Sequence, residues 1–293
     1  MPFMECVIIA ADHSADDIEN VLFGAGAVSV TLEDAADKPI LEPLPGATPL
    51  WPMVVIKGLF TTPCDAQRTE QAIRRGLIDQ PDIQWRDVAD KTWEREWLKD
   101  FKPMSFGNGF WICPGGQFPP QPYQPEKIVW LDPGLAFGTG THATTALCLE
   151  YLAQQPPHGA HFIDIGCGSG ILSIAALRLG ATRGHAMDID PQALIATDEN
   201  AQRNSVRAQL TLGDETTGWD GQYNLILANI LAEPLIALAD RIAGIASPGA
   251  TVLLSGLLDT QTDCVLRAYE GHFTMAKPLL KDGWAALYGT FNA

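Results

Sequence analysis

Hydrophobic and polar positions alternate in short blocks along the first ninety residues. Residues 3–10 read as a strand, and Ser14, with Asp17 three positions on, caps a helical pattern that runs through 23. Residues 27–33 and 53–60 are rich in β-branched side chains and predict two more strands, and the acidic, proline-rich stretch 34–52 between them predicts a loop. A second helical pattern covers 65–78, with Ala66, Thr69, Ile73 and Leu77 on one face, and 83–88 predicts a fourth strand. The order βαββαβ is that of a small α+β, ferredoxin-like domain, one sheet with two helices on one face. No catalytic motif falls within it.

Residues 92–101 (TWEREWLKDF) predict a short charged connector helix in which Trp93 and Trp97, spaced i, i+4, share a face. Indoles so placed dock a helix on a neighbouring domain more readily than they stack on a substrate. A loop rich in proline and glycine follows over 114–125. From 127 onward strand and helix patterns alternate to the end, the signature of an α/β domain on a parallel sheet. The chain thus divides into a ferredoxin-like domain (1–90), a connector helix and linker (91–126) and a larger Rossmann-like domain (127–293).

A length of 293 residues suits two domains with cores of their own. No run of 18 apolar residues occurs, which excludes a membrane-spanning helix, and the start lacks a basic n-region, so no signal peptide and a cytoplasmic location are expected. The six cysteines are scattered singly and are expected to be reduced thiols; the six histidines form no HxxxH or HxH pair, and no metal is expected. The formal net charge of −16 disfavours direct binding to nucleic acid, whose phosphates demand Lys and Arg, and suits a basic partner, although acidity also serves solubility. No feature calls for an oligomer, and a monomer is expected.

The chemistry concentrates in the second half. Residues 161–165 (HFIDI) predict a strand, 166–170 (GCGSG) a glycine turn, and 171–179 a helix ended by Gly180. Glycines serve there because the backbone must turn with positive φ and approach a ligand more closely than a Cβ allows. The next strand, 184–188, ends in Asp188, some twenty residues beyond Gly166, where a carboxylate can bind both hydroxyls of a ribose. Together they indicate an adenosine-containing cofactor. Dinucleotide sites use GxGxxG to seat a pyrophosphate at a helix N-terminus. Here the spacing is GxGxG with Asp164 before it, which fits the cationic, phosphate-free methyl donor S-adenosyl-L-methionine, whose amino-acid tail an acid can neighbour directly or through water. A turn that merely connects strand to helix is the bland alternative.

Two more segments support a methyl donor. The glycine- and threonine-rich stretch 132–145 leads into a helix over 146–153, and its hydroxyls and N–H groups suit the carboxylate of a methionyl tail or closure over the cofactor. A simple N-cap would use one of its threonines. The apolar strand 223–228 delivers Asn229 to the carboxyl end of the sheet, in the same crevice as Gly166 and Asp188. Its carboxamide oxygen can accept a hydrogen bond from an amine and aim the lone pair at a methyl group. Asn229 could also cap the following helix.

On these residues the chain resembles the PrmA family, the methyltransferases of large-subunit ribosomal protein eleven. The resemblance runs over nearly the whole length and includes Glu96-Trp-Leu-Lys-Asp-Phe-Lys-Pro103, Trp111-Ile-Cys-Pro114, the 132–145 loop, DIGCGSGIL at 164–172, Asn229-Ile-Leu-Ala232 and Lys281-Asp-Gly-Trp284. Ala143 departs from the family's usual proline. The resemblance implies cofactor contacts at Thr145, Gly166, Asp188 and Asn229, with Gly168, Phe137 and Thr144 as further candidates. It also implies that the N-terminal domain binds the ribosomal protein, that the connector lets the domains reorient, and that transfer repeats to trimethylated lysine and N-terminal amines.

Two other readings compete. A methyltransferase acting on RNA or on protein glutamine would typically carry Asn-Pro-Pro-Tyr after this strand, and its stacking aromatic is missing from Asn229-Ile-Leu-Ala232. A cofactor-sensing module without turnover would bind the methyl donor and methylate no amine.

Overall fold

A computed structural model of the chain describes residues 3–36, 49–61, 66–77, 81–88, 102–131 and 140–292. It divides into two compact units, Met1–Glu96 and Trp97–Ala293. The first contains β1 (Phe3–Ala11), α1 (Ala15–Gly24), β2 (Ser29–Asp34), β3 (Met53–Thr61), α2 (Ala66–Gly76) and β4 (Ile83–Val88). Its strands pair antiparallel in the order β2-β3-β1-β4, the ferredoxin-like arrangement. Strand alternation turns Cys6, Ile8, Val54, Ile56 and Phe60 to one face, where they share a core with Ile18 and Leu22 of α1 and Ile73 of α2.

Ser14 differs from its expected role. A 3₁₀ turn over Asp12–Ser14 runs into α1, Ser14 takes near-helical angles, and its side chain caps no backbone N–H. A capping hydroxyl needs the extended backbone that this turn removes. Most of the loop expected over 34–52, and the connector helix 92–101 with Trp93 and Trp97, lie outside the described residues.

In the second unit, residues 102–126, expected as linker, already contain strands. β5 (Met104–Ser105) pairs antiparallel with β6 (Trp111–Cys113), and β6 pairs parallel with β7 (Ile128–Trp130). Phe106, Phe110, Ile112, Val129 and Leu131 are buried in the main core. Strands of two or three residues show too little periodicity to be read from sequence; burial of the intervening phenylalanines fixes them.

The main sheet is built from β8 (His161–Ile165), β9 (Arg183–Met187), β10 (Leu210–Gly213), β11 (Tyr223–Asn229), β12 (Ala246–Leu258), β13 (Phe273–Met275), β14 (Leu279–Lys281) and β15 (Trp284–Phe291). The order is β10-β9-β8-β11-β12-β15-β13, with β14 also on β15; the first five strands are parallel and β15 is antiparallel to β12, β13 and β14. The helices are α3 (Ala143–Gln154), α4 (Ile171–Arg178), α5 (Pro191–Arg203), α6 (Ala232–Ala237), α7 (Ala239–Gly244) and α8 (Thr262–Tyr269). The sheet has a core on each face. Phe162, Leu225, Leu227 and Leu253 pack with α3 and α4, whereas Ile163, Ile165, Ile226, Ala228 and Leu254 pack with α6, α7 and α8.

This parity decides where chemistry falls. Asp164 shares its face with Phe162, and Asn229 shares its face with Leu225 and Leu227, so both side chains belong to the side covered by α3 and α4. Order reverses between β8 and β11, the switch point where open α/β sheets bind ligands beyond their strands' carboxyl ends.

Candidate cofactor and substrate site

The glycine turn after β8 has φ of +75° at Gly166, +55° at Gly168 and +77° at Gly170, conformations that L side chains resist. Gly166 and Cys167 donate their N–H groups to Met187 O at 2.9 and 3.0 Å, tying the turn to the end of β9. From the other side α5 holds the turn's carbonyls. Thr197 Oγ1 donates to Gly168 O at 3.0 Å, and Asn200 Nδ2 to Ser169 O at 2.9 Å. Asn204, one turn further along, exchanges hydrogen bonds with the N–H and C=O of Trp130. Sequence reasoning missed these residues, although buried polar side chains at 197, 200 and 204, spaced i, i+3, i+7, form one inward stripe.

The structure brings Asp188 to this turn. Its Oδ2 accepts from Gly168 N at 2.9 Å and its Oδ1 from Asp190 N at 3.0 Å, while Asp190 caps α5 through Gln192 N at 2.9 Å. Two backbone donors fix the carboxylate, and each oxygen keeps accepting capacity for a ribose hydroxyl.

Asp164 is 1% exposed. Its Oδ2 accepts from Ser173 N at 3.0 Å and Ser173 Oγ at 2.7 Å. Its Oδ1 is fully buried without a hydrogen-bond partner. Burial pushes the carboxyl up to about 6, against the lowering effect of the two Ser173 bonds, and Asp188 adds to the rise. A buried carboxylate oxygen left bare is costly, and the ammonium of a methionyl cofactor would supply the missing donor; the residues present therefore fit S-adenosylmethionine.

Asn229, at the end of β11, donates from Nδ2 to Thr145 Oγ1 at 3.2 Å. The helix carrying Thr145 begins three residues earlier than the sequence suggests, and its cap is a histidine. His142 Nδ1 lies 2.8 Å from Thr144 Oγ1 and accepts from Thr144 N at 3.4 Å. Neither Thr144 nor Thr145 is therefore a cap, and both are buried in the first turn. Asn229 is no cap either, since α6 starts at Ala232 after Leu231 and makes no side-chain cap bond. Loop residues 132–139, with Phe137, lie outside the described residues.

The segment after Asn229 is wedged between two glycines. A Cβ on Gly166 would come within 2.3 Å of the Ile230 side chain, and one on Gly256 (φ +88°) within 2.3 Å of Ile230 O. Ile230 N also donates to Ser255 O at 3.1 Å. Gly256, which no motif pointed to, thus sets the path of the chain beside Asn229. The hairpin between β14 and β15 braces the same region: Trp284 packs edge-on against His142 with centroids 4.6 Å apart, and Lys281 pairs with Glu150 at 2.7 Å.

The thiols near the turn are poor nucleophiles: burial pushes Cys148 up to about 12 and raises Cys167 further. Among the described residues no group of three His, Cys, Asp or Glu side chains is arranged to hold a metal, and no helix is long and apolar enough to cross a membrane.

Five parallel strands, an antiparallel last-but-one strand, a glycine turn at the switch point, an acid within β8 and another just past the end of β9 define an S-adenosylmethionine-dependent methyltransferase domain. Comparisons with known proteins narrow the class. The family model described as "Ribosomal protein L11 methyltransferase (PrmA)" matches residues 2–292. A ribosomal protein L11 methyltransferase of Nitrosococcus oceani is 43% identical over 291 residues, covering 99% of each chain. One of Marinobacter nauticus is 45% identical over 295 residues, covering 99% of this chain and 98% of that one. The crystal structure of a ribosomal protein L11 methylase from Lactobacillus delbrueckii subsp. bulgaricus is similar with a TM-score of 0.59 at 30% identity, covering 66% of this chain and 100% of that chain. The chain belongs to the PrmA family of ribosomal protein L11 methyltransferases.

Proposed function

We propose that this protein methylates lysine side-chain and N-terminal amines of ribosomal protein L11, up to the trimethyl state, as a monomer in the cytoplasm. The family supports the substrate, and the acidity of the chain, −16 overall, suits a basic partner and not nucleic acid. Residues 1–90 serve as the recognition domain, 91–126 as the connection and 127–293 as the catalytic domain.

The observation that carries the reading is the engagement of Asn229 Nδ2 by Thr145, which leaves the carboxamide oxygen as the acceptor for an incoming amine. Thr145, Gly166, Asp188 and Asn229 are the proposed cofactor contacts, and Asn229 the catalytic one. S-adenosylmethionine, when bound, supplies an electrophilic methyl group and leaves as S-adenosylhomocysteine. A lysine ammonium, with a reference pKa near 10.4, needs roughly 4–5 kcal/mol to give up its proton at pH 7. No strong base stands beside Asn229 among the described residues, so the proton leaves to water, and Asn229 captures the neutral amine and aligns its lone pair.

Incubation of the protein with methyl-labelled cofactor and separated ribosomal proteins and ribosomal RNA tests this. Label is expected in L11; label in RNA alone would overturn the reading.

A further inference from the structure

Helix α4 has Gly170 as its N-cap, which has no side chain with which to cap the free N–H groups of the first turn. Asp164, one residue before the end of β8, does this from the strand: Ser173 N, in the third position of the helix, donates to Asp164 Oδ2 at 3.0 Å. The carboxylate also meets the positive end of the helix dipole. A cap alone would not require what else is present. Ser173 Oγ donates to the same oxygen at 2.7 Å, and both residues are essentially removed from solvent, at 0% and 1% exposure. Asparagine or serine at 164 would satisfy one backbone N–H without burying a charge. Here both donors converge on Oδ2, and Oδ1 is left buried and bare.

We infer that Ser173 is a positioning residue for cofactor binding: by holding one oxygen of Asp164 with hydroxyl and backbone N–H, it presents the other to the ammonium group of the methionyl cofactor. The inference rests on the methyl-donor reading of the site. Among the described residues, the titratable groups that act on or are acted on by Asp164 are Asp188 at the end of β9, Cys167 in the glycine turn and Cys148 on α3. None is a cation, so no group among the described residues neutralises Asp164. The Ser173 bonds are what favours its charged form against burial. A cationic ligand needs that form.

The sign of the effect follows. Asp164 sits at about 6 with Ser173 in place, and removal of the hydroxyl takes away a stabiliser of the carboxylate and moves it higher. Cofactor affinity, measured by calorimetry on the full chain, is expected to fall in wild type as pH drops through 6. In Ser173→Ala the fall is expected about one pH unit higher, so that the deficit approaches about tenfold at pH 5.5 and shrinks severalfold by pH 8. In Asp164→Asn this acid limb should vanish, and adding Ser173→Ala to it should change the pH profile no further. A Ser173→Ala deficit that is equal at every pH, or an acid limb that persists in Asp164→Asn, would overturn the inference. Should Ser173→Ala lose its fold by circular dichroism, Asp164→Asn alone decides. Failure of the wild type to bind S-adenosylmethionine at any pH would sink the methyl-donor reading, and this inference with it.

Discussion

Asn229 Nδ2 and Thr145 Oγ1 stand 3.2 Å apart, although 84 residues of sequence separate them. One ends the fourth strand of the parallel sheet and the other opens the helix that covers that face. Replacing Thr145 with Val keeps the volume and removes the acceptor, which frees the Asn229 amide to rotate. Turnover on L11 is expected to drop about tenfold in Thr145→Val and at least a hundredfold in Asn229→Ala, with cofactor affinity changed less than turnover in both. Parallel loss of affinity and turnover, read from calorimetry and steady-state kinetics, would assign Asn229 to the cofactor alone.

Asp188 is held by Gly168 N and Asp190 N, so its carboxylate is in place before any ligand arrives. Two charge-assisted bonds to ribose hydroxyls are worth about 1.5–3 kcal/mol each. Asp188→Ala should therefore weaken cofactor binding by at least about a hundredfold. An affinity within a factor of three of wild type would refute the ribose role.

Thr197 has no exposed surface and donates to Gly168 O. Thr197→Val leaves a part-buried carbonyl with one partner fewer and is expected to cost about 1–3 kcal/mol in denaturant unfolding. It should also loosen the turn and weaken cofactor binding. Unchanged stability would mean that the turn is held by its own geometry.

Asp164 has a folded-state value of about 6 against 3.8 for the free side chain. A carboxyl raised on folding favours the folded state at low pH and loses that contribution as pH rises through 6. Relative to Asp164→Asn, the cofactor-free wild type should gain stability between pH 7 and 4, on the order of 2 kcal/mol. Stability curves for the two proteins that run parallel over this range would contradict it.

Removal of residues 1–90 should leave cofactor affinity within about threefold of the full chain, because the Thr145, Gly166, Asp188 and Asn229 constellation lies wholly within the second unit. Methylation of L11 should cease. Retained methylation would assign recognition to another part of the chain.

The positions legible in the sequence are those where local backbone physics and chemistry coincide. A GxGxG turn between an apolar strand and a helix, an acid at the end of the next strand and an asparagine at the end of a later one can be read in order, because strand and helix periods state where each element ends. The four strands of the first unit were readable for the same reason. Residues 102–113 were not, because strands so short carry no period and exist by burial of Phe106 and Phe110.

The glycine turn and its two acids were thus determined by the sequence alone, together with the class of cofactor that the chain uses. What only the tertiary structure decided is how that site is held. Thr197, Asn200 and Ser173 look like ordinary polar residues of helices until sheet parity and helix packing bury them against the turn. Gly256 looks like any strand glycine until Ile230 presses on it, and His142 becomes a cap only when its helix is seen to start early. Hydrogen-bond partners across 9 to 84 residues are set by how the layers stack, and no local pattern records that.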